Sequence, residues 1–339
     1  MPTIKDVAKL AGVSITTVSA VLNTSIEDKK VALKTREKVN EAIRILGYQP
    51  NIAARKLRGS NEQRPVIGVF WPLDARVAVL GTILSNLKSA FDKAYFKCEL
   101  VVYPFKNDEL SAYRELFSYE AFNGALIGAF SESDKEFLKG LDTKLPLVFY
   151  NRYLEDYHTV VTDNPMSGVM AAELIKKSRL ERVIIFQNKN MNISLRQRME
   201  AFINTCKTLG IEIKEQIRLN DDDKVQAMEV TQRLVKDGRI KDEVCLYCNE
   251  QVAYASLFTM MKMGISIPDT VKGLLLSASY NTMISYITPS ITSVEYPVDD
   301  MLMDCANLLI YGIQHKDSPP IHKTYIPRVV YGDTFPELI

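Results

Sequence analysis

The sequence predicts an α/β protein with a small all-helical head, a short connector and two doubly wound lobes. Three observations predict it. Residues 1–48 carry helical periodicity and no strand pattern. A polar run, Gly59-Ser60-Asn61-Glu62-Gln63, then interrupts the chain. From Pro65 onward, short apolar runs alternate with helical stretches, the signature of parallel sheets covered by helices. At 339 residues there is enough chain for two or three domains, each with its own core.

The head begins with Ile4, Val7, Ala8 and Ala11 at helical spacing, which predicts a short amphipathic helix over 4–11. Thr3 can cap it, and Asp6 suits the positive end of its dipole. Gly12 supplies a sharp turn because glycine tolerates positive φ. Ser14 then caps a second helix whose inner face is Val18, Val21 and Leu22. Its outer face shows Ile15, Thr16, Thr17, Ser19 and Ala20, small or polar and without negative charge. Two helices joined by a glycine turn, the second with such a face, form a helix-turn-helix able to lie in a DNA major groove. A third helix is expected over 35–46, with Thr35 as cap and Val39, Ala42, Ile43 and Leu46 inward. Gly47 ends it and Pro50 prevents its continuation.

Residues 51–58, NIAARKLR, are a marginal helix, too short to be stable alone, with Arg55, Lys56 and Arg58 around Leu57. Strands follow at Val66–Trp71, Cys98–Tyr103, Ala125–Ala129, Leu147–Tyr150, Val160–Thr162, Val183–Phe186, Val244–Tyr247 and Gly273–Leu276, with a last one at Tyr325–Tyr331. Helices are expected between them over 79–94, 110–120, 132–140, 165–178, 194–209, 224–238, 250–263 and 298–314.

Charge is unevenly placed. Residues 1–60 hold eleven Lys and Arg against five Asp and Glu, a net of +6, which leaves −5 on the remainder of a chain of net charge +1. A basic head on a mildly acidic body fits a polyanion partner. No apolar run approaches the roughly 20 residues needed to span a bilayer. No apolar segment follows the N-terminal charges, so a cytoplasmic location is expected. Cys245 and Cys248 have CxxC spacing, but on a strand i and i+3 face opposite sides, which predicts buried thiols and no metal site. His158, His315 and His322 are scattered along the chain, and no GxSxG, P-loop, HExxH or GxGxxG motif occurs. Neither an enzyme nor a cofactor is expected.

The head resembles the LacI/GalR family of bacterial transcription repressors. The matching residues are Thr3-Ile4, Asp6-Val7-Ala8, Ala11-Gly12-Val13-Ser14, Thr17-Val18-Ser19 and Val21-Leu22-Asn23. They continue through Thr35-Arg36, Val39, Glu41-Ala42-Ile43, Leu46-Gly47-Tyr48, Pro50-Asn51, Ala53-Ala54-Arg55 and Leu57-Arg58. This long ungapped run is a specific signal, and more dispersed matches cover the rest. The resemblance implies a helix-turn-helix headpiece (1–48), a hinge helix and linker (49–63) and a core of periplasmic-binding-protein type (64–339). Within the core it implies a near lobe of 64–163 with 295–322 and a distal lobe of 164–292 with 323–339.

On DNA, the resemblance places base contacts at Ile15, Thr16 and Ala20, and phosphate contacts at Thr3, Ser14, Thr17, Ser19, Asn23, Tyr48 and Asn51. The hinge, with Ala54, Arg55, Leu57 and Arg58, would enter the minor groove and wedge Leu57 into a base step. Many relatives carry Arg at Ala20, where it takes guanine bidentately, so an operator that departs from the usual half-site is expected. In the cleft the resemblance implies effector contacts from Leu73, Asp74, Arg76, Asp163, Arg198 and Asn249. Ser279 stands where relatives have a carboxylate, and Asp221 near where an aromatic stacks, which argues for an unusual, charged or absent effector.

The reading that follows is a dimeric, sequence-specific transcription regulator, a repressor of a carbohydrate-related operon. It would bind a pseudo-palindromic operator and be controlled by a sugar or sugar derivative in the cleft. No terminal Leu heptad follows the last strand, so a homodimer is the default. A phosphocarrier corepressor protein on the near lobe is the rival mode of control, and a pure small-molecule binding protein is the rival class.

Overall fold

The computed structural model of the chain describes residues 4–23, 31–46 and 64–337, apart from 75–76, 78, 118–120, 221–222, 277–287 and 317. For Ile4, Ser19, Leu22 and Asn23 it describes the backbone only.

The head is three helices, α1 (Ile4–Ala11), α2 (Ile15–Asn23) and α3 (Leu33–Leu46). Val7, Ala8, Ala11, Val18, Val39 and Ala42 are buried together, with Val21, Ile43 and Leu46 packed around them. The α3 start differs from expectation. Thr35 is not its cap; the helix begins at Leu33, and the Ala32 carbonyl accepts from the Thr35 and Arg36 amides at 2.9 and 3.1 Å. Leu33 and Lys34 are good helix formers, so the helix extends back through them and leaves Thr35 in the first turn.

Among the described residues the core contains two six-stranded sheets. The near lobe starts with β1 (Val66–Pro72), α4 (Leu80–Lys93), β2 (Glu99–Phe105), a 3-10 helix (Leu110–Leu116), β3 (Gly124–Gly128), α5 (Glu132–Lys139), β4 (Leu147–Tyr150) and β5 (His158–Thr162). The distal lobe comprises α6 (Asn164–Lys177), β6 (Arg182–Asn188), α7 (Ile193–Leu209), β7 (Glu212–Leu219), α8 (Lys224–Lys236), β8 (Val244–Tyr247), α9 (Glu250–Lys262), β9 (Lys272–Leu275) and β10 (Thr292–Glu295). The chain then returns as α10 (Val298–Gln314) and β11 (His322–Tyr325) and ends with β12 (Arg328–Val330).

Strand order is β11-β5-β4-β3-β1-β2 in the near sheet and β12-β10-β9-β8-β6-β7 in the distal one. Each lobe thus repeats one doubly wound order, and each sheet is completed by a strand from the chain's final stretch. The strand pairs are parallel except β10 with β12. Successive residues of a central strand enter cores on opposite faces. Ile67 and Val69 meet Leu87, Phe91, Met301 and Leu302, whereas Val66 and Phe70 meet Phe105, Phe122 and Phe149. In the distal lobe Val183 and Ile185 meet Ala171 and Phe202, and Ile184 and Phe186 meet Leu234, Leu257 and Met260. The fold class is therefore the expected one.

Several elements differ from expectation. The helix over 110–120 is a 3-10 helix that ends at Leu116. The strand expected over 325–331 is β12 of the distal sheet, and β11 of the near sheet, which that span meets only at Tyr325, was not expected. Edge strand β7 has alternating exposure along EIKEQIRL, so it lacks the continuous apolar run that marks a central strand. Sheet membership also moves two lobe boundaries: 293–295 belong with the distal sheet and 323–325 with the near one.

Three crossings join the lobes: β5 into α6 at Asp163, β10 into α10 at Tyr296-Pro297, and β11 into β12 at 326–327. The first two leave from strand carboxyl ends, so the carboxyl ends of both sheets face the gap between the lobes. Among the described residues no helix is long and apolar enough to cross a membrane.

Candidate DNA interface and inter-lobe site

Gly12 adopts φ +66°, and the Val13 amide donates to the Ala8 carbonyl at 3.0 Å, which closes α1 in a left-handed cap. The chain reverses within three residues and presents α2. Ser14 Oγ accepts from the Thr17 amide at 3.1 Å and is hydrogen-bonded to Thr16 Oγ1 at 2.6 Å and Thr17 Oγ1 at 2.8 Å. Three hydroxyls thus gather at the positive end of α2, which has no acidic residue in its first turn. Val18 is fully buried, while Thr16 is exposed and Ile15, Thr17 and Ala20 are half-buried. Val18 and Val21 are on the anchored side as the spacing predicts, whereas Ile15, expected on the outer face, also packs against the headpiece core. Thr3, Tyr48, Asn51, Ala54, Arg55, Leu57 and Arg58 lie outside the described residues, as do the side chains of Ser19 and Asn23.

In the core, Arg198 on α7 is buried, 5% exposed. Its Nε donates to Asn164 Oδ1 at 3.0 Å, its Nη2 donates to the Tyr296 hydroxyl at 3.0 Å, and its guanidinium lies 4.9 Å from the Tyr296 ring centre. Asn164 and Tyr296 belong to the first and second crossings. The Asp163 amide donates to the Tyr325 carbonyl at 2.9 Å, which ties the first crossing to the third. Gly168 sets the position of Arg198. A Cβ there would lie 2.1 Å from the Arg198 carbonyl oxygen, so only glycine lets α6 and α7 approach this closely.

A second guanidinium bridges the lobes. Arg152, just after β4, donates from Nε to the Phe130 carbonyl at 3.0 Å and from Nη1 to Ser194 Oγ on α7 at 2.9 Å. Its neighbour Asn151 has φ +54° and donates from Nδ2 to the Tyr296 hydroxyl at 3.3 Å. Asn151 Oδ1 is buried and, among the described residues, has no hydrogen-bond partner; the same holds for Asn188 Oδ1 at the carboxyl end of β6. These two orphaned acceptors stand at strand ends of opposite lobes. Buried acceptors are ordinarily satisfied, so a pair left open at a cleft marks a place for donors from a ligand or water.

The other expected cleft residues are distributed along the same strand ends. Leu73 is exposed after β1, and Asp74 accepts from Asn107 Nδ2 at 2.9 Å. Asp163 caps α6 by accepting from the Met166 amide at 3.0 Å. Asn249 caps α9 by accepting from the Gln251 and Val252 amides at 2.7 and 3.2 Å. Glu250, beside it, has its carboxyl pushed up to about 7 by burial and then by Glu295. Arg76, Asp221 and Ser279 lie outside the described residues.

Asn151, Arg152, Asn188 and Tyr296 were not among the expected site residues. Their signal was position: each stands at or just beyond the end of a strand, where a doubly wound sheet binds its ligand. Cys245 and Cys248 enter cores on opposite faces of the distal sheet, and burial pushes both thiols up to about 12. No three metal-ligating side chains come together among the described residues.

Residues 3–51 match the family model described as bacterial regulatory proteins, lacI family, and residues 172–335 match a periplasmic binding protein-like domain. The chain is 27% identical to the sucrose operon repressor of Pediococcus pentosaceus, with 98% of this chain and 99% of that protein covered. A LacI family transcription regulator from Clostridium acetobutylicum superposes with a TM-score of 0.71 at 24% identity, covering 79% of this chain and 99% of that one. The lac repressor dimer bound to operator and an anti-inducer gives 0.68 at 19% identity, with 99% of both chains covered.

Proposed function

Because the chain belongs to the lacI family of bacterial regulatory proteins, we propose that it is a cytoplasmic, homodimeric repressor. It binds a pseudo-palindromic operator through two headpieces and responds to a small effector held between its lobes. The observation that carries this reading is the joining, in one chain, of a helix-turn-helix with an uncharged presented face to a two-lobed core whose crossings are tied together by one buried arginine.

The division of labour follows from the residues. Ser14, Thr16 and Thr17 offer hydroxyl donors at the positive end of α2, suited to phosphate and groove-edge acceptors. Ala20 and the part of Ile15 not packed on the headpiece core present apolar groups that read a thymine methyl and cannot take guanine bidentately. In the cleft, Asn151 Oδ1, next to Arg152 and sharing the Tyr296 hydroxyl with Arg198, and Asn188 Oδ1 of the other lobe accept from a hydroxylated ligand that spans both lobes. The similar sucrose operon repressor names an operon of sugar use, and a sugar or sugar derivative supplies the donors these acceptors require. The similarity to a repressor of a sugar-use operon is why the small-molecule reading is preferred to a protein corepressor on the near lobe.

A ligand that satisfies both acceptors binds one separation of the lobes better than another, and it shifts the population by that difference. The change reaches DNA through the relation between the two near lobes of a dimer, from which the headpieces hang. The test is operator selection from a random duplex pool with the full chain, followed by titration of the selected duplex with sugars and sugar phosphates. A specific operator whose affinity responds to one of them supports the reading. Failure to enrich any sequence overturns it.

A further inference from the structure

His158, distant in sequence from His315 and His322, meets them at one end of the near lobe, away from the cleft. His158 opens β5, His322 opens β11, and His315 follows α10. His158 is 7% exposed, and its Nδ1 accepts from the Ile321 amide at 3.0 Å. The Ile321 carbonyl accepts from the Thr159 amide at 3.0 Å, so both backbone groups at the entry of β11 are held by β5. One of them is held by a titratable ring.

That bond fixes the ring's protonation. An Nδ1 that accepts from an amide carries no proton, so His158 is neutral with its proton on Nε2. Protonation would set an N–H against the Ile321 N–H and end the bond. Among the described residues, no acidic side chain pairs with the ring to stabilise the imidazolium. From α10, Tyr311 packs at 6.2 Å and His315 stacks on Tyr311 at 4.7 Å. From β11, His322 bonds to Thr159 Oγ1 at 2.9 Å and packs on Tyr153 at 5.0 Å. Pro146 and Gly312, which close the pocket, carry no charge. Burial, and then the nearby His322, holds the His158 imidazole below the ordinary histidine range.

The position of β11 gives this bond its consequence. Among the described residues it is an edge strand of the near sheet, paired only with β5, and it runs straight into the third crossing. We propose that His158 is a proton-operated latch on that crossing: protonation frees the entry of β11, loosens one of the three connections between the lobes and alters operator affinity. The coupling to DNA rests on the repressor reading above; the latch itself does not.

Hydrogen exchange of the full chain at the segment around Ile321, corrected for intrinsic rate, tests the latch in wild type, His158→Asn and His322→Asn. Asparagine places an amide oxygen near the Nδ1 position and does not titrate. In wild type, protection should fall by about tenfold per pH unit once the ring takes up its proton. It should stay flat in His158→Asn. In His322→Asn the fall should begin at higher pH, because the charge that opposes protonation is gone. A parallel fall in wild type and His158→Asn overturns the latch. Histidine 15N NMR of the wild type gives a second reading that needs no variant, and a proton on Nδ1 at neutral pH also overturns it. Operator affinity measured alongside separates the two claims. Opening without any change in affinity overturns the coupling, whereas no operator binding at any pH counts against the repressor reading and leaves the exchange result to judge the latch.

Discussion

The Arg198 guanidinium donates to the Tyr296 hydroxyl over 3.0 Å while its Nε holds Asn164 at the same distance, so one side chain of α7 joins two of the three crossings between the lobes. Asn151 donates to the same hydroxyl from the near lobe. Tyr296→Phe removes the shared acceptor and leaves a buried charge under-satisfied, at a cost of about 1–3 kcal/mol. Urea unfolding of the full chain measures this. Arg198→Lys keeps the charge and loses the planar fork; titration of the operator complex should show the effector response abolished and effector-free affinity nearly unchanged.

Gly168 and Gly81 make a controlled pair. A Cβ at Gly168 meets backbone at 2.1 Å, whereas one at Gly81 in α4 meets nothing within 4 Å. Gly168→Ala should destabilise by about 1–3 kcal/mol or more through overpacking. Gly81→Ala should stabilise by roughly 0.5–1 kcal/mol through helix propensity. Thermal melts of the two variants should therefore shift in opposite directions.

Ala20 is half-buried on the presented side of α2. Introducing the fork by Ala20→Arg should shift base preference at one position of each half-site toward guanine, by about 1–3 kcal/mol. Site selection with both proteins reads this directly. The headpiece fold should survive, because Val18 on the opposite face supplies the anchor.

Ser14 caps α2 and organises the Thr16 and Thr17 hydroxyls. Ser14→Ala should cost about 0.5–2 kcal/mol of headpiece stability. It should also weaken operator binding uniformly across sequences, as loss of a backbone-positioning group does. Anisotropy titrations on matched and mutated operators distinguish this from the base-specific effect of Ala20→Arg.

Glu250 has a raised carboxyl, about 7, because of burial and the neighbouring Glu295. The folded state therefore holds its proton more tightly than the unfolded one. The associated stability is full below the ordinary carboxylate range and is lost as pH rises through about 7. Glu250→Gln should flatten that decline, so its melting temperature relative to wild type should rise between pH 6 and about pH 8.

Much of this was legible before the structure, for physical reasons that differ by element. Gly12, Ser14 and Val18 were readable because turn, cap and core each demand a particular residue within a few positions of one another. Central strands β1, β4 and β8 were readable because burial on both faces makes them continuous apolar runs. β7 was not, because an edge strand alternates. Nor was β11, because HKTY is a short edge strand with alternating exposure and no apolar run, and only sheet pairing reveals it. Arg198 was foreseen as a ligand-gripping residue; its bonds to Asn164 and Tyr296 depend on two distant crossings that local pattern cannot register. The convergence of the three histidines is likewise a product of topology, since β5 and β11 pair across the whole distal lobe.

The most direct test of the central claim is the affinity of the full chain for its selected operator and for a scrambled duplex of equal length, at physiological salt, with and without sugars. The full chain should prefer the operator by at least about a thousandfold, with affinity falling steeply with salt and altered by one class of hydroxylated ligand. Equal affinity for both duplexes, unmoved by any ligand, would contradict it.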